Sequence, residues 1–255
     1  MYAFYNIKPG FYYVDQETVY LQNINKIVLT GDIGCTGFFE ESKKILGKIL
    51  ELNPDVFFFL GDLICSGVEF EFREIIDFCN TRVQVPIFAL RGNHDIRHYQ
   101  KFLGLLSYTI VLDKFVCIFL DNPMGYFLDE DIDFLARALN NNKNRSVLIF
   151  MHIPPPTDIY SAHLPESEWV KIKTILDQHK ERIKHIFCAH IHGYHEYFID
   201  GYPVTITAGG GAAMVHDLKQ QDQKFYHAVI INLREDGSLN KEVVTNGIHN
   251  SLPED

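Results

Sequence analysis

The chain has no basic excess. Its 23 lysines and arginines stand against 33 acidic residues in 255, a net charge of −10. That shortage argues against a protein that holds duplex nucleic acid through a broad basic surface. It is compatible with a local basic pocket, and with an enzyme that meets phosphates through metal ions. Cysteine is sparse as well: Cys35, Cys65, Cys79, Cys117 and Cys188 are scattered, odd in number and without a CxxC pair. This spacing suits a reducing, cytoplasmic setting better than a disulfide scaffold. Hydrophobic runs are strand-length, far short of the ~20 residues a membrane span needs. The first ten residues lack a basic start followed by an apolar run, and Pro9-Gly10 interrupts them, so no secretory leader is expected. Repeats, low-complexity tracts and Pro/Gly/Ser linkers are missing, so the chain reads as one domain over residues 1–255. At 47% hydrophobic it can fill one substantial core.

What is present is a rhythm. Residues 1–25 read as a β-hairpin extension with turn residues at Pro9-Gly10 and Asp15-Gln16. Short β-type runs at 26–30, 56–60, 87–90, 146–151 and 183–189 then alternate with helical patterns at 38–52, 70–79, 129–139 and 166–179. In the first helix Ile45, Leu46, Ile49, Leu50 and Leu52 form an apolar stripe that largely excludes Lys43, Lys44 and Lys48. Residues 108–112 and 115–120 read as a hairpin. The 194–245 tail reads as two more, turning at Asp200-Gly201 and Asp236-Gly237. Early βα units followed by hairpins predict an α/β core extended by mixed strands.

The informative feature is what ends each apolar run. Strand after strand closes in Gly31-Asp32, Gly61-Asp62, Gly92-Asn93-His94-Asp95, His152 and His190-Ile191-His192. Open α/β sheets form sites outside the carboxyl ends of their strands. Five strands would thus deliver Asp, Asp, Asn, His and a His-x-His pair to one edge. One Asp at a strand end is usually a turn former; five coincident ends are not explained that way. Carboxylate, carboxamide and imidazole together suit borderline divalent ions such as Mn, Fe or Zn.

This series resembles the calcineurin-like metallophosphoesterases, whose blocks follow the same chain order across residues 27 to about 211. The resemblance implies a four-layer αββα sandwich of two mixed β-sheets flanked by helices, with two divalent metal ions at the strand edge. By position, Asp32, Asp62 and His192 would bind the first metal; Asp62, Asn93, His152 and His190 would bind the second. His94 corresponds to the family's catalytic histidine, with Asp95 expected to orient it. The implied reaction is hydrolysis of a phosphate monoester or phosphodiester by in-line attack of a metal-bound hydroxide, two cations ~3.5–4 Å apart sharing the charge.

Two positions depart from the pattern. Gly34 stands where the family usually has a histidine, and Cys65 where purple acid phosphatases have a tyrosine. Cys65 is either a thiolate ligand or a small cysteine packed beside the site. Arg91 and Arg97 flank the His94 loop, and Arg97 is the preferred phosphate contact. His98, His163, His195 and His216 lie near the motif loops as solvated or packing residues. Residues 153–157 and the Tyr160–His163 stretch read as a short stiff lid. The glycine run 209–211 fits either phosphate binding or tight packing. A nuclease of the same superfamily would share the ligands, but the acidic balance counts against nucleic acid. A scaffold that has lost catalysis would be expected to lack more of the set. The expected partner is a small phosphate-ester substrate, with no membrane association; oligomeric state is left open.

Overall fold

The computed structural model describes residues 7–34, 40–214 and 223–245. The first half contains β1 (Gly10–Phe11), β2 (Thr18–Tyr20), β3 (Lys26–Thr30), α1 (Glu40–Leu50), β4 (Val56–Phe59), α2 (Glu69–Asn80), β5 (Pro86–Ala89) and α3 (Tyr99–Leu103). Then come β6 (Tyr108–Val111), β7 (Phe115–Phe119), α4 (Asp129–Asn141), β8 (Ser146–Phe150) and α5 (Glu166–Leu176). The tail adds β9 (Ile183–Cys188), β10 (Tyr194–Ile199), β11 (Tyr202–Thr207), β12 (Ala228–Leu233) and β13 (Leu239–Val244). One sheet has the order β1-β5-β4-β3-β12-β13, the other β10-β11-β9-β8-β7-β6-β2. Both are mixed, and helices flank them.

The Val-Phe-Phe-Phe run of β4 shows why the layers form. A strand covered on both faces carries no polar alternation. Phe58 faces the second sheet, its ring 4.9 Å from that of Phe119 and 5.3 Å from that of Phe150. Phe57 and Phe59 point the other way and cluster with Ile45 and Ile49 of α1 and Phe72 and Ile75 of α2. On the far side, Trp169 of α5 meets Tyr202 of β11 edge-on. The helices thus cover the outer faces, and an aromatic seam fills the middle. The α1 stripe is buried as its period predicts. The helix expected over 166–179 ends at Leu176 and tightens into a 3-10 segment, Asp177–Arg182.

The expected hairpin over 1–25 is not formed in its described part. β1 pairs parallel with β5 and β2 pairs parallel with β6, in different sheets. Between them the backbone keeps finding other partners: Tyr12 N donates to Ile87 O and Val14 N to Leu103 O. The segment covers two sheet edges that would otherwise expose unpaired backbone. The later hairpins do form, β6 with β7, β10 with β11 and β12 with β13. The last two extend different sheets, through β9 and β3. β3, β4 and β5 run parallel, as do β7, β8 and β9, and their carboxyl ends meet at one edge of the sandwich. No helix among the described residues is long and apolar enough to cross a membrane.

Candidate metal centre

Three residues at this edge sit in left-handed backbone conformations: Asp32 (φ 57°), Asp62 (φ 50°) and His190 (φ 70°). Non-glycine residues are held there at a cost of about 1–3 kcal/mol each, typically where function demands it. The turn throws each side chain off its strand and toward the gap between the sheets. Close approach does the rest. A Cβ on Gly61 would lie 2.6 Å from His152 Nδ1, and one on Gly92 would lie 2.1 Å from Asp62 Oδ1.

Among the described residues, Asp62, His152 and His190 each bring a ligand atom within 4.8 Å of the others. His152 is fully buried, and its Nδ1 donates to Leu60 O at 2.8 Å. That fixes the tautomer and turns Nε2 inward, 3.4 Å from Asp62 Oδ2 and 3.1 Å from Asn93 Oδ1. Burial opposes charge on Asp62, yet His152 and the His94 N–H hold its pKa down to about 2. His190 is lowered to about 4, by burial first and then by the neighbouring His152. A carboxylate, an amide oxygen and two imidazoles thus converge, a donor set that fits a borderline divalent ion.

Asp32 and His192 form a neighbouring pair. Asp32 is fully buried; Oδ2 accepts from His190 N at 2.8 Å, while Oδ1 has no hydrogen-bond partner. An orphaned buried carboxylate oxygen is costly unless a cation meets it. His192 Nε2 lies 3.3 Å from it, and Nδ1 donates to Ala213 O at 2.5 Å. The residues present therefore suit metal here as well, with fewer protein donors. Gly34 explains the shortage: a Cβ there would stand 2.4 Å from Leu63 O and 2.8 Å from Ile64 Cα. The loop after β3 lies flat on the loop after β4, and no side chain fits between them. The half-buried Cys65 thiol does not join the three-residue cluster.

His94 is half-buried; its N–H donates to Asp62 Oδ1 at 2.9 Å, and its Nδ1 meets Cys65 O at 2.7 Å. Asp95 does not orient it directly, contrary to expectation. The Asp95 carboxylate is fully buried and accepts from Leu63 N (3.0 Å), Ile64 N (3.2 Å) and Gly92 N (2.8 Å). It fastens the β4 loop to the β5 loop. Burial and the nearby Asp62 charge push its pKa up to about 7.

Arg91 is spoken for, its guanidinium forked onto the Asp121 carboxylate at 3.0 and 2.5 Å. Arg97 is exposed on the rim. His163 bonds Leu164 O, His195 stacks on Tyr197, and His98 precedes α3; His216 lies outside the described residues. The 153–164 loop is tied down by Tyr197 Oη to Pro155 O and Leu164 N to Pro154 O. The glycine run serves packing, since a Cβ on Gly209 would meet His227 Nδ1 at 2.2 Å.

Asn122 belongs to the site and was not foreseen. Its Oδ1 accepts from His152 N (2.9 Å) and Ile153 N (3.1 Å), and its Nδ2 donates to Ile153 O at 2.8 Å. It aims the His152 backbone. The signal was there: Asp121-Asn122 ends the apolar run of β7, as the other site residues end theirs.

Similarity to known proteins agrees with this geometry. A probable glycerophosphodiester phosphodiesterase of Arcobacter nitrofigilis is 23% identical over 176 residues, 59% of this chain and 63% of that protein. The chain thus spans under two thirds of that relative's length. A purple acid phosphatase from yellow lupin seeds superposes with TM-score 0.72 at 14% identity, covering 88% of this chain and 52% of that one. A dimetal phosphatase from Danio rerio gives 0.63 at 13%, covering 87% and 99%. Residues 25–194 match the calcineurin-like phosphoesterases, and the chain belongs to that family.

Proposed function

We propose that this protein is a metal-dependent hydrolase of small phosphate esters. The observation that carries the reading is the meeting of Asp62, His152 and His190 within 4.8 Å, beside Asn93 and with the His94 backbone N–H on Asp62. Divalent metals, when bound, would supply positive charge that neutralises the phosphate oxygens and acidifies water. Asp62, Asn93, His152 and His190 would hold one such ion, and Asp32 and His192, with Asp62, would hold a second.

The chain's own groups then have separate tasks. Carbonyl acceptance at Nδ1 fixes His94 as the Nδ1–H tautomer, so its Nε2 is the atom that can exchange a proton with an ester oxygen. His94 is our candidate for handing a proton from Nε2 to the departing ester oxygen, which leaves as the alcohol, while Nδ1 keeps its own proton on the Cys65 carbonyl. The Asn93 amide orients on His152 and cannot titrate, which keeps one donor constant with pH. Likeness to a glycerophosphodiester phosphodiesterase adds weight to a diester substrate.

The test is hydrolysis of a chromogenic phosphate monoester and its diester analogue by metal-stripped protein reloaded with Mn²⁺. Turnover should depend on metal, fall about 10²–10⁴-fold in His94→Ala, and fall in Asn93→Ala together with metal content. No turnover of either ester with Mn²⁺, Fe²⁺ or Zn²⁺ would overturn the proposal.

A further inference from the structure

We propose that the loops after β4, β5 and β7 form an apolar rim to the metal centre, a subsite for the hydrocarbon substituent of a phosphate ester. This rests on the phosphoesterase reading and narrows its substrate class.

Nine large apolar side chains are exposed among the described residues, and six of them lie on these three loops or the helix starts that follow: Val68, Phe70, Ile96, Met124, Tyr126 and Leu128. Phe70 is 71% exposed and Met124 56%. Single exposed apolar residues need no explanation, whereas a concentration beside a site does. None of the nine lies in residues 190–193, which carry His190 and His192, or in 208–214.

Each loop is joined to the centre by contacts already described. The turn at Gly67 touches the His94 loop, where a Cβ would lie 3.2 Å from His94 O and 3.8 Å from Arg97 Cβ. The β7 loop is bound at Asp121 to Arg91 and at Asn122 to His152. Met124 and Tyr126 follow two and four residues later, around a left-handed Gly125.

Three acidic groups of these loops and helix starts are taken up by neighbours. Glu71 accepts from Ser66, Glu69 pairs with Arg73 and Lys101, and Asp131 accepts from Ser107 and Leu128 N. These loops therefore bring exposed hydrocarbon to the neighbourhood of a polar, cation-binding centre, with Arg97 exposed among it and Asp129 and Glu130 next to Leu128. An ester with one anionic phosphate and one aliphatic or aryl substituent matches both surfaces.

The experiment compares methyl, butyl and octyl p-nitrophenyl phosphates on the Mn²⁺-loaded protein, below their micellar concentrations, so that the leaving group stays constant. From methyl to octyl, kcat/KM should rise roughly tenfold, less than full burial of the chain would give because the rim is open. The Met124→Ser/Tyr126→Ser double variant should cut the octyl-to-methyl ratio below about twofold, and the off-rim control Val170→Ser should leave it as in the parent. A flat series with the methyl ester turned over would overturn the rim and leave the phosphoesterase reading standing. If no ester is turned over, calorimetry with butyl and octyl phosphonate decides the rim separately. Equal affinities would overturn it; tighter octyl binding lost in the double variant would sustain it. A flat monomer series with sedimentation on phosphatidylglycerol vesicles would assign the patch to a bilayer and overturn the subsite.

Discussion

His94 gives its ring Nδ1–H to the carbonyl of Cys65, 2.7 Å away. The residue at the position where purple acid phosphatases place a tyrosine therefore serves the site through its main chain. A side-chain change that spares the backbone should spare catalysis. Cys65→Ser is expected to alter kcat/KM by less than about threefold, since serine keeps the side chain's size and leaves in place the carbonyl that His94 meets. A fall beyond tenfold, or a changed metal-to-protein ratio, would instead make the sulfur a ligand.

Restoring the missing histidine should fail. At Gly34 any Cβ runs into Leu63 O at 2.4 Å, so Gly34→His must first part the two loops that carry Asp32 and Asp62. We expect destabilisation of about 1–3 kcal/mol, the usual cost of overpacking, with lower activity. Denaturant unfolding reads the first and ester hydrolysis the second. A stable variant with tighter metal binding would show that the loops separate freely.

The strand ends were legible because the site residues closely follow apolar runs, and burial of each run fixes where the next residues emerge. Asn122 obeyed the same rule, but Asp121-Asn122-Pro123 also reads as a plain turn. Neighbourhood in sequence misled at Asp95. Its carboxylate reaches back under the turn to Gly92 and across to the β4 loop, so adjacency to His94 gave no contact. The amino-terminal strands were misread because β1 and β2 span two and three residues, too few for local pattern to choose a partner. Their partners, β5 and β6, lie far along the chain, and only the assembled sheets expose the edges they cover. The glycine run was ambiguous for a similar reason: His227, which fills the space above Gly209, comes later in the chain, just ahead of β12.

Asp95 is expected to act as a structural clasp. Two carboxylate oxygens accept three buried N–H groups, and Asp95→Asn would set its NH₂ against at least one of them. Leaving a buried donor unmet costs about 1–3 kcal/mol. Because the loop that ends in Cys65 loses its tether, kcat should fall as His94 loses register, with metal content retained. Full activity alongside lowered stability would confine Asp95 to folding.

His152 ties metal uptake to protons. Burial works against its charge, but the Asp62 carboxylate 3.4 Å away, with Asp32 beyond it, outweighs burial and raises its pKa from 6.5 to about 9. A histidine whose folded pKa is raised stabilises the fold fully below its unfolded value and loses that contribution as pH climbs through the folded one. In metal-free protein the His152–Asp62 attraction should therefore support stability near pH 6 and fade toward pH 9. Ligation requires the neutral ring, so an ion binding at Nε2 near pH 7 must expel the proton. Mn²⁺ titrations in buffers of different ionisation enthalpy should report about one proton released, with affinity rising about tenfold per pH unit from 7 toward 9. Heats independent of buffer would mean that the ion bypasses His152. In that case Asp32 and His192, with 3.3 Å between Oδ1 and Nε2, would hold the primary site.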